Sequence, residues 1–464
     1  MSRPASPITP LTHDPTKLAL AALCALAVAL FLGGCSVFDY ETSAPRMVRR
    51  PDLTPLPPLK APGEPEMRVR LAARQSSATV GGPQEVRIAP LSEKKQTRVL
   101  SAPVQFALSA LSWSVTDGRG RQTSIPRSGY QGMDPLVVNA VGPRDLTFAK
   151  QSYPGEIRLQ PRVARTGGPT PESPVFDVVE FVPLERYLPG VISRELFPNW
   201  SLDAYKAQTV AARTYAIQEK NRSMAAGESF DVEAGEQDQA YGGHTLNATA
   251  QRAVAETRGQ ILKWNGQVLR AYYSSTCGGR AGSAKDTWPT RAGYEFNLAA
   301  PIQGSIRPRD CPCGFSGRYR WTVTRDKAEF VRRLSAYGTA ENMAVRALTS
   351  LSRITTATMN AAGRPASYRI YDAAGKWYPL SAEQLRLACN TAAEGLPPID
   401  AKSRVFSGDL TFTVSPSTIK IEGRGFGHGV GLCQYGAEGL AREGQPWDAI
   451  VRFYYPGALI EKAY

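Results

Sequence analysis

At 464 residues and 42% hydrophobic content, the chain is long enough for two or three domains and can bury a sizeable core. The formal net charge is +14, from 55 basic and 41 acidic residues. That balance suits a nucleic acid, an anionic membrane surface or an acidic polymer. The basic residues are scattered and form no dense block interleaved with aromatic residues, which disfavours the nucleic acid.

The N-terminus has the pattern of an export signal. Residues 18–32 are uncharged but fewer than the ~20 apolar residues of a spanning helix, and small residues precede Cys35 as in a bacterial lipobox. We predict that residues 1–35 form a lipoprotein signal peptide and that Cys35 is lipidated; the alternative is an uncleaved membrane anchor. Either way the protein is expected in the cell envelope, outside the cytoplasm and without a nucleic-acid partner. Ser36 favours the outer membrane where the host has one.

Composition divides the rest of the chain into three parts. Residues 36–66 are rich in proline, which favours an extended spacer. Residues 67–182 contain short alternating runs broken by Gly, Pro and Asp, which is typical of strands. Helical and hairpin patterns follow over residues 183–464. The predicted fold class is therefore α+β, with a β-rich N-terminal part and a helix-containing core that carries the function.

Five cysteines remain once the signal peptide is set aside: Cys277, Cys311, Cys313, Cys389 and Cys433. An odd number in an exported protein predicts at most two bridges and one free thiol, with Cys277 paired to Cys311 or Cys313 as the first choice. The alternative is a Cys/His zinc site that includes His244 or His428, but no standard paired spacing is present. We therefore predict no metal and no cofactor.

The most informative stretch combines a carboxylate with a helix that carries cations. Glu195 lies upstream of a helix predicted over residues 202–219, for which Ser201 is a good N-cap. Lys206 and Arg213 lie two turns apart on one face of this helix. The neighbouring apolar stripe consists of Leu202, Tyr205, Thr209, Ala212 and Ala216. One face is expected to pack while its edge presents the cations.

A long ordered motif begins residues 187–276: it reads Tyr187-Leu-Pro-Gly-Val, then Glu195, Pro198 and Trp200, then Lys206-Ala-Gln and Ala211-Ala-Arg-Thr-Tyr-Ala. With it, residues 187–276 resemble the first part of the stage II sporulation protein D / LytB (SpoIID/LytB) family domain. Asp238-Gln-Ala-Tyr-Gly-Gly-His is similar to a later family turn and is expected to line the groove. Where the family usually has Thr-Glu, this chain has Arg280-Ala-Gly, so no role of that glutamate can be transferred.

Residues 423–457 resemble the second motif of the same family. The run Gly423-Arg-Gly-Phe-Gly-His-Gly-Val-Gly-Leu-Cys-Gln-Tyr-Gly-Ala contains no Gly-x-Gly-x-x-Gly, which argues against a nucleotide loop. A thiol hydrolase that uses Cys433 with His428 is another alternative, disfavoured because the family usually has serine at this position. His428 is expected to orient groups near Glu195, and a buried structural role for it stays open.

The resemblance implies a lytic transglycosylase-like enzyme that cleaves peptidoglycan glycan strands and leaves 1,6-anhydro-muramyl ends. Glu195 would be its single general acid and base, the cations would meet the lactyl carboxylate or developing charge, and an amidase would first remove the stem peptides. The predicted substrate-binding residues are Lys206, Gln208, Arg213, Tyr215, Tyr241, His428, Gln434 and Tyr435. The alternative is a non-catalytic peptidoglycan-binding lipoprotein or amidase enhancer, to which Glu195 would matter little.

Overall fold

The structure is a computed structural model that describes residues 63–129, 133–162, 174–235, 237–307 and 309–464. The predicted signal peptide, Cys35 and most of the proline-rich spacer lie outside these residues and stay predictions. Within the described ranges, no helix is long and apolar enough to cross a membrane.

Strands dominate the described chain as far as Pro183. They are β1 (Glu66–Gln75), β2 (Ser77–Gly81), β3 (Glu85–Pro90), β4 (Arg98–Ser101), β5 (Val104–Leu108), β6 (Ser112–Thr116), β7 (Gln122–Pro126), β8 (Leu136–Ala140), β9 (Leu146–Phe148), β10 (Gln151–Tyr153), β11 (Glu156–Pro161) and β12 (Phe176–Pro183). Many alternate buried and exposed residues, so each sheet has one face to bury. The predicted β-rich N-terminal part is confirmed.

These strands form two sheets that pack face to face. With β13 (Val232–Glu233) included, the sheet orders are β13-β1-β12-β11-β8-β3-β4 and β10-β9-β2-β5-β6-β7. Val86 and Ile88 of the first sheet meet Phe106 and Trp113 of the second in one buried cluster.

Helices and smaller sheets make up the rest. The helices are α1 (Leu184–Glu195), α2 (Leu202–Ala225), α3 (Ala248–Glu256), α4 (Ala284–Thr287), α5 (Lys327–Ala340), α6 (Ala382–Cys389), α7 (Gln434–Arg442) and α8 (Trp447–Tyr454). The further strands are β14 (Gln260–Trp264), β15 (Gln267–Val268), β16 (Tyr273–Ser274), β17 (Arg320–Asp326), β18 (Arg353–Met359), β19 (Pro365–Tyr371), β20 (Trp377–Ser381), β21 (Leu410–Val414), β22 (Thr418–Arg424), β23 (Leu432–Cys433) and β24 (Leu459–Lys462). Their sheet orders are β15-β14-β24, β16-β23, β17-β22-β21 and β18-β19-β20.

Local sequence signals explain several of these elements. Asn265 and Gly266 both have positive φ and join β14 to β15, as the Asn-Gly pair predicts. The Asn247 side chain accepts a hydrogen bond from Ala250 N–H at the start of α3. Ser381 forms a complete capping box with its partner three residues later.

Helix α2 occupies the centre of the molecule. It starts where predicted, but it continues to Ala225 and is buried on more than one side. Tyr205 and Ala212 pack in one core with α1 and β1, while Ala207 and Val210 pack in another with α7 and α8. The predicted picture of one packed face beside a solvated edge is therefore wrong, because small residues let neighbours approach the helix from both sides.

Candidate active site

Glu195 is the last residue of α1, and the chain turns to extended backbone at Leu196. A side chain at Gly190, one and a half turns earlier, would place Cβ 2.1 Å from the carbonyl oxygen of Gly243. Glycine at this position lets the loop of residues 238–244 lie directly against α1. From that loop the Ala240 N–H donates to Glu195 Oε1 at 3.3 Å. The first family motif thus contains both Glu195 and the Ala240 N–H that binds its carboxylate.

The second motif reaches the same carboxylate from the far end of the chain. Gln434, the first residue of α7, donates from Nε2 to Glu195 Oε2 at 2.9 Å. Helix α7 is brought there by the parallel pairing of β16 with β23. The structure thus places Gln434 against Glu195, while the predicted role of Gln434 in substrate binding stays a prediction.

A buried row of polar side chains lies behind the carboxylate. Tyr187 donates to Gln239 Oε1 at 3.2 Å, and Gln239 Nε2 donates to the Tyr273 hydroxyl at 3.0 Å. Burial, with a smaller contribution from the negative charge of Glu195, raises the pKa of Tyr273 well above its usual value. Tyr273 therefore keeps its phenol proton at neutral pH. Sequence reasoning gave no role to Tyr273 and expected Gln239 to line the groove with the rest of the 238–244 turn, whereas Gln239 is 1% exposed.

Aromatic rings form a partly exposed surface next to Glu195. Tyr435 meets Trp200 edge-on with centroids 5.0 Å apart, and it also contacts Phe197 at 6.0 Å and Phe315 at 5.3 Å. Phe315 is 46% exposed. The arrangement offers apolar ring faces beside a carboxylate.

The two cations predicted to bind substrate, Lys206 and Arg213, are engaged in ion pairs away from Glu195. Arg213 is fully buried and forms a two-pronged pair with Glu185, at 2.9 Å and 2.8 Å. The prediction that Arg213 presents its charge to substrate is therefore wrong. Lys206 is ion-paired with Glu256 of α3, so its charge serves the contact between two helices.

Three other predicted substrate-binding residues are core residues. Gln208 is 0% exposed, and among the described residues its amide atoms have no hydrogen-bond partner. The Tyr215 hydroxyl accepts from Arg270 Nη2 at 3.1 Å, and Tyr241 packs on the Tyr187 ring with centroids 4.7 Å apart. These buried side chains support the elements around Glu195, and the prediction that they bind substrate is wrong.

His428 contacts the backbone of Val430 and the ring of Trp288. Its Nδ1 accepts from Val430 N–H at 3.0 Å, which places any proton of the neutral ring on Nε2. Its ring packs edge-on against Trp288 at 4.8 Å. Together with Arg364 and Glu383 it lines a small pocket. The predicted role of His428 near Glu195 stays a prediction.

Cys433 has none of the surroundings expected of a nucleophile. It is 1% exposed, and its Sγ accepts from the backbone N–H of Cys277 at 3.2 Å, whereas His428 Nδ1 is engaged by Val430. The five described cysteines are all free thiols. Four of them form a cluster with metal-ligand spacing, which sequence reasoning missed because the four come from three separate segments.

Comparison with known proteins identifies the same family as the two sequence motifs. A family model described as Stage II sporulation protein (SpoIID) matches residues 173–264. An uncharacterized protein of Brachyspira hyodysenteriae is 31% identical over 292 residues, which cover 62% of this chain and 69% of that protein. The chain belongs to the SpoIID/LytB family.

Two named proteins of Bacillus subtilis are also similar to this chain. The stage II sporulation protein D of Bacillus subtilis is 27% identical over 299 residues, covering 61% of this chain and 76% of that protein. The amidase enhancer of the same organism is 28% identical over 307 residues, covering 59% of this chain. The match spans only 40% of the amidase enhancer's length. These relatives suggest a function related to peptidoglycan.

Removing the Gln434 amide tests the contact between the two family motifs. In Gln434→Leu the Glu195 carboxyl loses a donor, and hydrogen bonds to charged groups are worth about 1.5–3 kcal/mol. We expect the glycan cleavage that the family resemblance implies to fall by roughly 10- to 100-fold, at about 1.4 kcal/mol per tenfold, as measured by product formation at saturating substrate. Gln445→Leu, also at an amide but outside the site, is the control and should retain activity.

Protonation of His428 is expected to destabilise the fold. Burial lowers the pKa of His428 from 6.5 to about 4, so between these values the unfolded chain binds more protons than the folded chain. The free energy of unfolding should therefore fall as the pH drops from about 6.5 to about 4. His428→Asn, which keeps an acceptor for Val430 N–H but does not titrate, should show a shallower dependence in urea unfolding series. Equal pH dependence of the unfolding free energy in wild type and His428→Asn would contradict the expectation that protonation of His428 destabilises the fold.

Proposed function

We propose that the protein is a lytic transglycosylase that cleaves peptidoglycan glycan strands, with Glu195 as the group that transfers the proton. The observation that carries the proposal is the hydrogen bond from Gln434 to Glu195, because it joins two motifs 239 residues apart at one partly exposed carboxylate. Such a contact has a use in catalysis, because a proton-transfer group must be held in place.

Two other carboxylates of the site-forming elements hold the backbone of neighbouring segments. Glu438 accepts from Ser201 N–H at 2.8 Å, and Asp238 accepts from Glu233 N–H at 2.9 Å. Ordinary glycosidases need a second carboxylate as base or nucleophile. A reaction that needs only one carboxylate suits this site better.

The C6 hydroxyl of N-acetylmuramic acid can act as an internal nucleophile, so the reaction does not need a second carboxylate. Glu195 gives its proton to the glycosidic oxygen as the bond from that oxygen to C1 of N-acetylmuramic acid breaks. The ionised Glu195 then accepts the proton of the C6 hydroxyl while the C6 oxygen bonds to C1. The product carries a 1,6-anhydro ring, no water is consumed, and Glu195 regains its proton.

The aromatic surface fits the rest of the substrate. The apolar faces of pyranose rings pack against aromatic rings, and Tyr435 and Phe315 provide partly exposed rings of this kind beside Glu195, with the buried Trp200 in contact with Tyr435. We further propose that the protein acts in the cell envelope, anchored through Cys35, on strands from which an amidase has removed the stem peptides.

The test is mass spectrometry of the fragments released from glycan strands with and without stem peptides. Anhydro-muramyl ends on fragments from the stripped strands are the expected result. The amidase enhancer among the relatives favours a second candidate, a non-catalytic role in assisting an amidase. No anhydro product from either substrate, together with faster amidase turnover when the protein is added, would favour that candidate.

A further inference from the structure

Four buried thiols converge from three segments of the chain. Cys277 follows β16, Cys311 and Cys313 lie in the segment before β17, and Cys433 is the N-cap residue of α7. Their exposures are between 0% and 5%. All four Sγ atoms lie within 4.8 Å of one another. The fifth described cysteine, Cys389, is buried in a different core.

We propose that these four cysteines bind one zinc ion as a closed structural site. A Zn–S bond of about 2.3 Å places the sulfurs of a regular tetrahedron about 3.8 Å apart. The Sγ atoms of Cys277 and Cys313 are 3.8 Å apart. Four cysteine ligands complete the coordination of zinc, so the site keeps no position for water or substrate. Each thiol releases a proton to solvent as the metal binds.

Hydrogen-bond donors surround the sulfurs as they do around metal-bound thiolates. Cys433 Sγ accepts from Cys277 N–H at 3.2 Å and from Gly436 N–H at 3.4 Å. The Tyr454 hydroxyl lies 3.2 Å from Cys311 Sγ. Such outer contacts orient the ligands and stabilise their negative charge.

A guanidinium lies next to the cluster. Arg307 Nη1 is 3.7 Å from Cys277 Sγ, and Arg307 Nη2 is 3.4 Å from the carbonyl oxygen of Gly431. Zinc with four thiolates carries a net charge of −2, which a neighbouring cation partly balances. Two disulfides would be neutral, and Arg307 and the N–H donors would then face sulfur atoms that are weak acceptors. The surroundings therefore favour zinc over paired disulfides.

The packing around the cluster also links it to Glu195. A side chain at Gly436 would place Cβ 2.3 Å from Cys311 Sγ, so glycine in α7 lets the Cys311 segment come close. The next residue after Cys433 is Gln434, which donates to Glu195. Zinc would thus hold the N-terminus of α7 against the first family motif. Its role is to position Gln434, and it takes no part in the reaction itself.

The decisive measurement is the metal content of the full chain, purified in detergent without chelator. About one zinc per chain is expected from plasma mass spectrometry. Cys313→Ser should lose most of this zinc, whereas the matched control Cys389→Ser, which also changes a buried thiol, should keep it. The wild-type result stands by itself if Cys313→Ser does not fold.

Alkylation separates zinc from disulfides. In denaturant with chelator and no reductant, all four thiols should react with iodoacetamide, because metal-bound thiolates become free. Cysteines that stay unreactive until a reductant is added, in protein that contains no zinc, would overturn the proposal. Iron with visible absorbance in place of zinc would overturn the assignment of the metal. Neither result depends on glycan cleavage, so the proposed function is tested separately.

Discussion

Glu195→Gln is expected to lower the rate of anhydro-muramyl product formation by ~10²–10⁴-fold, the usual contribution of a general acid or base. Glutamine has nearly the same shape and keeps an acceptor for Ala240 N–H, but it has no proton to give to the leaving oxygen. The fold should be preserved, because Glu195 is only partly buried at the end of α1. Product is to be measured by mass spectrometry of glycan fragments, with glycan binding measured in parallel.

The control for Glu195→Gln is Glu422→Gln. Glu422 is an exposed carboxylate of β22 that pairs with Lys420, so the same chemical change there should leave cleavage within about twofold, as is usual for surface substitutions. Undiminished anhydro product from Glu195→Gln would show that this residue is not the acid. Wild-type protein that binds glycan but releases no anhydro product would point to the binding or enhancer role instead.

Arg213→Met is expected to destabilise the fold by about 3–5 kcal/mol, the cost of leaving one partner of a buried ion pair alone. Arg213 and Glu185 are 0% and 1% exposed. Arg213 also donates to the carbonyl oxygens of Val254 in α3 and Gln260 in β14, so it joins α1, α2, α3 and β14. The free energy of unfolding from urea titration measures the effect. Glycan binding per folded molecule should be unchanged.

Two variants sharpen the test of the buried pair. Adding Glu185→Gln to Arg213→Met removes the unpaired charge while keeping an acceptor for Gly259 N–H, so the double variant should be more stable than Arg213→Met alone. Arg452→Met breaks an exposed pair with Asp448 and should change stability by less than about 1 kcal/mol. If Arg213→Met were as mild as Arg452→Met but weakened glycan binding, Arg213 would face the substrate after all.

Local patterns in the sequence were sufficient for several parts of the structure. The Asn265-Gly266 hairpin, the Asn247 cap and the start of α2 depend on residues within a few positions of one another. The β-rich N-terminal part and the family were likewise readable from alternation and motifs. The two motifs also contain the contact between Glu195 and Gln434, although only the folded chain shows that they touch.

Tertiary structure decided what charge and periodicity could not. Arg213 occupies a position on α2 that looks like a solvated edge, but cores on both sides of this helix enclose it and Glu185 neutralises it. Cysteines with no regular spacing meet because β16 and β23 pair in parallel and bring Cys277 next to Cys433. Burial and long-range pairing depend on how distant segments pack, and no window of sequence contains that information.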